Sequence, residues 1–155
     1  MTTSTNTNHP IRDERISSYG RLVVAQRRLH RIFDRSLRSQ VGISIVWYEA
    51  LLRLARTKDQ QMPINELGDA LELTSGGATR LVDRLEESGY LERVRCPTDR
   101  RILWARLTDD GLQVLAAATR VHLEDLDETF VSLFTADEMN TLNALLRRVR
   151  GSDDG

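Results

Sequence analysis

The chain has 155 residues, 40% of them hydrophobic and 29% charged, with a formal net charge of −1. This length supports one domain with a real core and is too short for two independent domains. No apolar run approaches the roughly 20 residues that span a bilayer, and the first ten residues lack the apolar stretch of a secretory signal. We therefore expect a cytoplasmic protein with no membrane partner.

Charge is distributed unevenly along the chain. Residues 11–40 hold eight arginines against three acidic residues, and residues 93–106 hold five arginines against one aspartate. Residues 122–154 reverse the balance, with eight acidic residues against three arginines. The two basic segments are therefore the candidates for contact with phosphate, and the C-terminal part is not.

Cysteine and histidine are scarce. Cys96 is the only cysteine and there are three histidines, so an intramolecular disulfide and a Cys-rich zinc site are excluded. The histidines lie too far apart in sequence for a recognisable metal motif, although His30 and His122 could meet near a domain junction. The sequence predicts no metal and no cofactor.

The first two predicted helices follow from hydrophobic periodicity. Apolar side chains recur at helical spacing from Ile16 to Leu37, with arginines on the opposite face, which predicts one long amphipathic helix. Gly42 ends it, and Ser44 is placed to cap a second helix whose apolar residues continue to Ala55. The polar residues 57–61 predict a loop.

Two shorter helices follow, joined by about three residues. Pro63 suits the first turn of a helix that ends near Glu72, because its missing N–H is not needed there. Thr74 is a good N-cap for the next helix, which Gly89 terminates.

The remaining elements are a hairpin and two helices. Residues 91–96 and 102–107 are rich in branched and aromatic residues and flank a turn-forming segment, which predicts a two-stranded hairpin. Thr108 caps a long helix, and Thr135 with Glu138 forms a capping box for the last one. The fold class is mainly α with a small β-hairpin (α+β), with disordered ends at 1–10 and 151–155.

The short helix, tight turn and second helix form a helix-turn-helix pattern, in which the second helix enters the major groove of DNA. Small residues at its start allow close approach of the backbone to phosphate. Arg80 is placed to reach a guanine edge and Arg84 to reach phosphate. The alternative is that Arg80 is a surface arginine paired with Asp83 or Glu87. The candidate DNA-binding residues on this helix are Thr74, Ser75, Gly76, Gly77, Thr79, Arg80 and Arg84.

The predicted hairpin carries the second basic segment. An arginine at its tip suits a narrow minor groove, where the negative potential is deepest, and a carboxylate two residues away can hold that arginine in place. Arg101 and Asp99 fit these two roles. The candidate DNA-binding residues of the hairpin are Arg93, Arg95, Asp99, Arg100 and Arg101.

A family resemblance becomes specific here. Residues 75–108 read SGGATRLVDRLEESGYLERVRCPTDRRILWARLT, which resembles the recognition helix and wing of the MarR (multiple antibiotic resistance regulator) family. That family's wing signature appears as Asp99, Arg101, Leu107 and Thr108. The resemblance implies a winged helix-turn-helix, here residues 44–108, in a transcription regulator that binds pseudo-palindromic double-stranded DNA.

The resemblance also implies a homodimer and a small-molecule effector. Family members pair their first and last helices, which here correspond to residues 11–40 and 109–150. Relatives bind small aromatic acids in a cleft between these helices and the winged domain, where Trp47, His30 and Arg27 are the candidate ligand-binding residues. We expect a repressor that an aromatic or phenolic ligand releases from DNA.

Two alternatives remain open. Cys96 beside the wing permits a redox-responsive regulator, and loss of DNA binding would leave a dimeric protein-interaction module. The sequence has no phosphate-binding glycine loop, nucleophile elbow or metal-spaced His pair, so we do not expect an enzyme.

Overall fold

The computed structural model describes residues 10–95, 99 and 101–150. Within them it has the predicted order of four helices, a hairpin and two helices. The helices are α1 (Glu14–Gln40), α2 (Ile45–Arg56), α3 (Ile64–Ala70), α4 (Ser75–Glu87), α5 (Asp109–Thr129) and α6 (Ala136–Arg150). The strands are β1 (Gln61–Pro63), β2 (Leu91–Arg95) and β3 (Leu103–Leu107). Pro10 begins a 3-10 turn, and the predicted disorder at 1–9 and 151–155 lies outside the described residues.

The predicted N-caps are confirmed. The side chain of Ser44 accepts from the Trp47 N–H at 3.2 Å, and Thr108 accepts from the Gly111 N–H at 3.0 Å. The capping box before α6 is also present, since the Thr135 N–H donates to Glu138 at 2.8 Å. Each cap satisfies a backbone donor that the helix leaves unpaired, typically worth about 1 kcal/mol.

The sheet has three strands, where the sequence predicted two. β1 pairs antiparallel with β3, so the strand order is β1-β3-β2. The loop predicted at 57–61 is therefore wrong at Gln61, and Pro63 ends a strand and precedes α3 instead of lying in its first turn. A proline is tolerated there because β1 is an edge strand, and three residues are too few to show a strand periodicity.

The core joins the C-terminal half of α1 to α2, α4, the sheet and α5. Its fully buried large side chains are Leu37, Ile43, Leu51, Leu54, Leu67, Val82, Leu85 and Leu91. Each such side chain stabilises the fold by about 1.5–3 kcal/mol relative to exposure. Because α4 contributes Val82 and Leu85, its orientation on the body of the protein is fixed by the same core.

The first half of α1 and the whole of α6 are left outside that core. α1 has 27 residues but buries only Phe33 and Leu37. Among the described side chains of α6, none is buried. Large apolar side chains on these two helices are open to solvent, namely Ile16, Tyr19, Leu22, Val24, Leu145, Leu146 and Val149. Within the described residues, no helix is long and apolar enough to cross a membrane.

One close backbone approach joins the sheet to α5. A Cβ at Gly111 would overlap the carbonyl oxygen of Tyr90 and lie 2.7 Å from Cδ1 of Leu107. The same carbonyl accepts from the Thr108 N–H at 3.2 Å. Only glycine therefore fits at this point of the junction.

We expect Gly111→Ala to lower the free energy of unfolding by about 3 kcal/mol, because the added methyl group must displace backbone. Gly76→Ala is the matched control, since its Cβ meets nothing within 4 Å and alanine favours the helix by up to about 1 kcal/mol. Urea denaturation checks both variants. Equal stabilities for the two would contradict the packing at the Tyr90 carbonyl.

Candidate nucleic-acid interface

Helices α3 and α4 cross at very short range. A Cβ on Gly68 of α3 would lie 2.7 Å from Cβ of Ala78 on α4, so glycine at this position permits the close crossing. Thr74 caps α4 by accepting from the Gly77 N–H at 3.1 Å. Thr74, Ser75 and Gly76 are exposed, so the N-terminal N–H groups that α4 leaves unpaired face outward.

The two predicted arginines of α4 lie on its open face. Arg80 and Arg84 are exposed, whereas Leu81 and Leu85 are buried. Neither arginine has an ion-pair partner within the described residues. The alternative pairing of Arg80 with Asp83 or Glu87 is not observed among the described residues, and Asp83 pairs with Arg93 instead.

At the wing, the predicted pair of Asp99 and Arg101 is present. The backbone N–H of Arg101 donates to Asp99 at 3.0 Å, and its guanidinium donates to both carboxylate oxygens at 3.2 and 3.3 Å. The side-chain and backbone hydrogen bonds from Arg101 hold the pKa of Asp99 below its ordinary value. The Arg101 side chain is nevertheless 92% exposed, so it is oriented while remaining available.

The other hairpin arginines differ from one another. Arg93 faces α4 and donates to Asp83 and Glu86, with only 22% of its side chain exposed. Arg95 is exposed, and Arg106 donates to Glu92 at 2.9 Å. Arg100 and Cys96, which the sequence also singled out, lie outside the described residues.

A groove brings the recognition helix and the wing together. It has a volume of about 470 Å³ and is lined by Thr79 of α4, Arg93 of β2, Arg101 of the wing and residues 63–66 at the start of α3. Thr79 and Arg101 therefore face one common space. This side of the protein can present a helix and a basic arm to the same elongated ligand.

Comparison with known proteins supports this geometry. A sequence profile of the MarR family matches residues 41–102. The HTH-type transcriptional regulator MhqR of Bacillus subtilis is 35% identical over 100 residues, which cover 64% of this chain and 68% of MhqR. The chain belongs to the MarR family of transcription regulators.

Solved structures of MarR-family proteins agree. Sco3205 of Streptomyces coelicolor, in complex with DNA, superposes with a TM-score of 0.80 at 27% identity, covering 88% of this chain and 86% of Sco3205. A mutant MarR of Escherichia coli with operator DNA gives 0.76 at 26% identity, covering 95% and 99%. The winged-helix fold and the assignment as a regulator rather than an enzyme are thereby confirmed.

This MarR-family chain also has an apolar cavity away from the arginines of α4 and the wing. It measures about 740 Å³ and lies between α1, α2, α5 and the region of α6. Its lining includes Gln26, His30, Phe33, Tyr48, Arg56, His122, Phe130 and Phe134. Of the three predicted ligand residues, only His30 lines it. Trp47 lines a separate small groove beside Gly77, Arg80 and Arg84, and Arg27 is exposed on α1.

Sequence reasoning missed His122 as the polar centre of this cavity. Its ring packs edge-on against Phe33, with ring centroids 4.7 Å apart, and lies 5.0 Å from the ring of Tyr48. Burial lowers the pKa of His122 and so favours the neutral ring, opposed by the charge of Asp125. Its Nδ1 is buried with no hydrogen-bond partner within the described residues. The sequence predicted only that His30 and His122 could meet near a domain junction, and both histidines line this cavity.

A second missed residue links the long helix to the winged domain. Asp34 of α1 accepts from the Ile45 N–H, the first of α2, at 3.0 Å and from Arg38 at 2.7 Å. Burial raises the pKa of Asp34, but the hydrogen bonds from Arg38 and Ile45 outweigh it and lower the pKa overall. The charged carboxylate therefore ties α1 to the N-terminus of α2.

Proposed function

We propose that this protein represses transcription by binding pseudo-palindromic double-stranded DNA as a homodimer. The observation that carries the proposal is that Thr79 of α4 and Arg101 of the wing line one groove, while Arg80 and Arg84 are exposed on the same helix. The DNA complexes of Sco3205 and of MarR support the same mode of binding. Occupancy of the operator would then block polymerase.

On this proposal, α4 lies in the major groove. Arg80 projects a two-pronged donor that matches O6 and N7 of guanine, while Arg84, one turn further along, contacts phosphate. The open N-terminus of α4 around Ser75 binds a second phosphate through backbone N–H groups. Thr79 adds a polar contact beside the groove that leads to the wing.

The wing arginine enters the neighbouring minor groove. A guanidinium is attracted there by the concentrated negative potential of a narrow groove. Asp99 accepts from both the backbone and the side chain of Arg101, so less freedom is lost on binding. Exposed Arg95 adds a further phosphate contact at the edge.

The homodimer rests on the apolar surface that the single chain leaves open. Residues 11–40 and 109–150 supply helices α1, α5 and α6, and the exposed apolar residues of α1 and α6 form stripes that a second copy can cover. A twofold axis through these helices would place two α4 helices about one helical turn of DNA apart.

The effector site is the cavity around His122. Its aromatic walls fit a small ring, and the buried Nδ1 of His122 lacks the donor that a phenolic hydroxyl would supply. His30 and Arg56 on the same lining can meet a carboxylate instead. A ligand there would press on α1, α2 and α5 and change the spacing of the two α4 helices, lowering the affinity for DNA.

For DNA binding, we expect wild type to enrich a palindrome from a random duplex pool, with affinity falling steeply as salt rises. Arg80→Ala should lose about tenfold in affinity and relax the preference at one base pair, whereas Arg84→Ala should weaken all sequences alike and reduce the salt slope by about 1. Fluorescence anisotropy at several salt concentrations measures both. If no sequence is enriched, the alternative of a protein-interaction module is favoured.

For the dimer, we expect wild type to sediment at twice the chain mass of 17.7 kDa. Leu145→Asp should shift it toward the monomer, because the interface would bury an unpaired carboxylate. Asn140→Asp, on the opposite face of α6, is the matched control and should stay dimeric. Analytical ultracentrifugation decides the point, and a monomeric wild type would refute the proposed dimer.

For the effector, p-cresol and benzoate are the probes. We expect p-cresol to raise the melting temperature and release DNA, and His122→Phe to require about tenfold more of it, since one hydrogen bond to a buried group is lost. Arg27→Gln should leave the response unchanged. A response to benzoate alone that survives His122→Phe would contradict the phenol and favour the carboxylate at His30 and Arg56.

A further inference from the structure

One side chain joins the wing to the recognition helix. The guanidinium of Arg93, on β2, donates to the carboxylates of both Asp83 and Glu86 on α4. The backbone N–H of Arg93 also donates to Glu86 at 3.1 Å. Three hydrogen bonds therefore run from a single residue of the sheet to two residues of the helix.

The strand register explains why Arg93 faces the helix. Arg93 lies opposite Ala105, and Leu91 lies opposite Leu107, on the face of the sheet that packs into the core. Side chains two apart on a strand share a face, so Arg93 extends the buried row that Leu91 begins. Its planar fork matches two carboxylates at once, which a lysine ammonium cannot do with the same geometry.

We propose that Arg93 is a positioning residue that locks the wing to α4, so that Arg80 and Arg101 engage adjacent DNA grooves as one rigid unit. The inference rests on the proposed DNA binding and removes Arg93 from the residues that touch DNA. Arg93 is charge-neutralised by Asp83 and Glu86, which makes it a poor phosphate contact. It also prevents these two carboxylates from repelling the DNA backbone.

The distance from Arg93 to the tip of the wing makes a small tilt of the hairpin matter for DNA binding. Arg101 lies four residues before Ala105, the β3 partner of Arg93, toward the tip of the wing. Four residues of extended chain span at most roughly 13 Å. A tilt of about 10° at Arg93 therefore moves the wing arginine by roughly 2 Å along the DNA. Such a shift is enough to misplace a guanidinium that must enter a narrow minor groove while α4 stays seated in the major groove.

The test is a double-mutant cycle on DNA affinity. In wild type, Arg101→Ala should weaken binding to the selected operator about tenfold. In the Arg93→Gln background the same change should cost no more than about twofold, because a loose wing has already lost its contact. The opposite result is additivity, in which Arg101→Ala still costs about tenfold in the Arg93→Gln background and Arg93→Gln itself reduces the salt slope by about 1. That result would show that Arg93 contacts phosphate directly and would overturn the proposal.

Two further variants separate positioning from charge. Asp83→Asn combined with Glu86→Gln removes two negative charges near DNA, so a purely electrostatic role predicts tighter binding. A positioning role predicts instead that this double variant also shrinks the effect of Arg101→Ala. Arg95→Gln is the matched control for Arg93→Gln, since Arg95 is the next residue on the same strand face and is exposed; its effect should add to that of Arg101→Ala.

Amide hydrogen exchange on the free protein gives a readout without DNA. Arg93→Gln should speed exchange in β2 and β3 about tenfold while leaving α5 unchanged. Unchanged exchange rates in β2 and β3 would overturn the lock, whatever the DNA binding of the variant. Faster exchange in these strands, in a protein whose wild type selects no operator, would instead show that the proposed function is wrong.

Discussion

The buried face of α4 is the constraint on which the rest of the interface depends. Ala78, Leu81, Val82 and Leu85 are all inside the core, so the helix cannot rotate without exposing several apolar side chains at about 1.5–3 kcal/mol each. Residues at the complementary helical positions must then face solvent. The arginines that meet DNA in our proposal are thus oriented by leucines that never touch it.

The same arginine chemistry serves three purposes in the hairpin. Arg106 pairs across the strands with Glu92, on the solvent side of the sheet. Arg93 is drawn inward by two carboxylates, and Arg101 is held by one carboxylate but stays almost fully exposed. The number of acidic partners and the face of the strand decide which arginine stiffens the protein and which remains free to bind.

Local signals predicted most of this fold and part of the site. Capping depends on residues within one turn, so Thr74 and Thr108 were identifiable from sequence, as was the contact of Asp99 with Arg101 two residues away. The strand at Gln61 was not, because its partner Arg106 is 45 positions later in the chain and three residues carry no periodicity.

The remaining site residues depend on packing between distant segments. Arg93 and Arg95 look alike in sequence, and only the acidic residues of α4 distinguish them. The residue type of Trp47 suits a ligand cleft, yet its ring centroid lies 6.3 Å from that of Tyr90 and it lines the small groove beside α4. His122 owes its place in the cavity to Phe33 and Tyr48, which come from two other helices.

The proposed effector cavity and the proposed DNA surface are connected through α2. The cavity contacts Ile45 and Tyr48, on one face of that helix, whereas Val46 and Trp47 line the small groove against Gly77 and Arg80 on the other. Asp34 fixes the N-terminus of α2 to α1, so a displacement of α1 by a ligand carries α2 with it. α2 packs through the shared core on α4, and α4 is joined to the wing by Arg93, so the displacement would move α4 and the wing together as one rigid unit. In the proposed dimer, a small change at the cavity would then change the separation of the two α4–wing units. An operator with fixed half-site spacing penalises such a change far more when these units are rigid than when they are flexible.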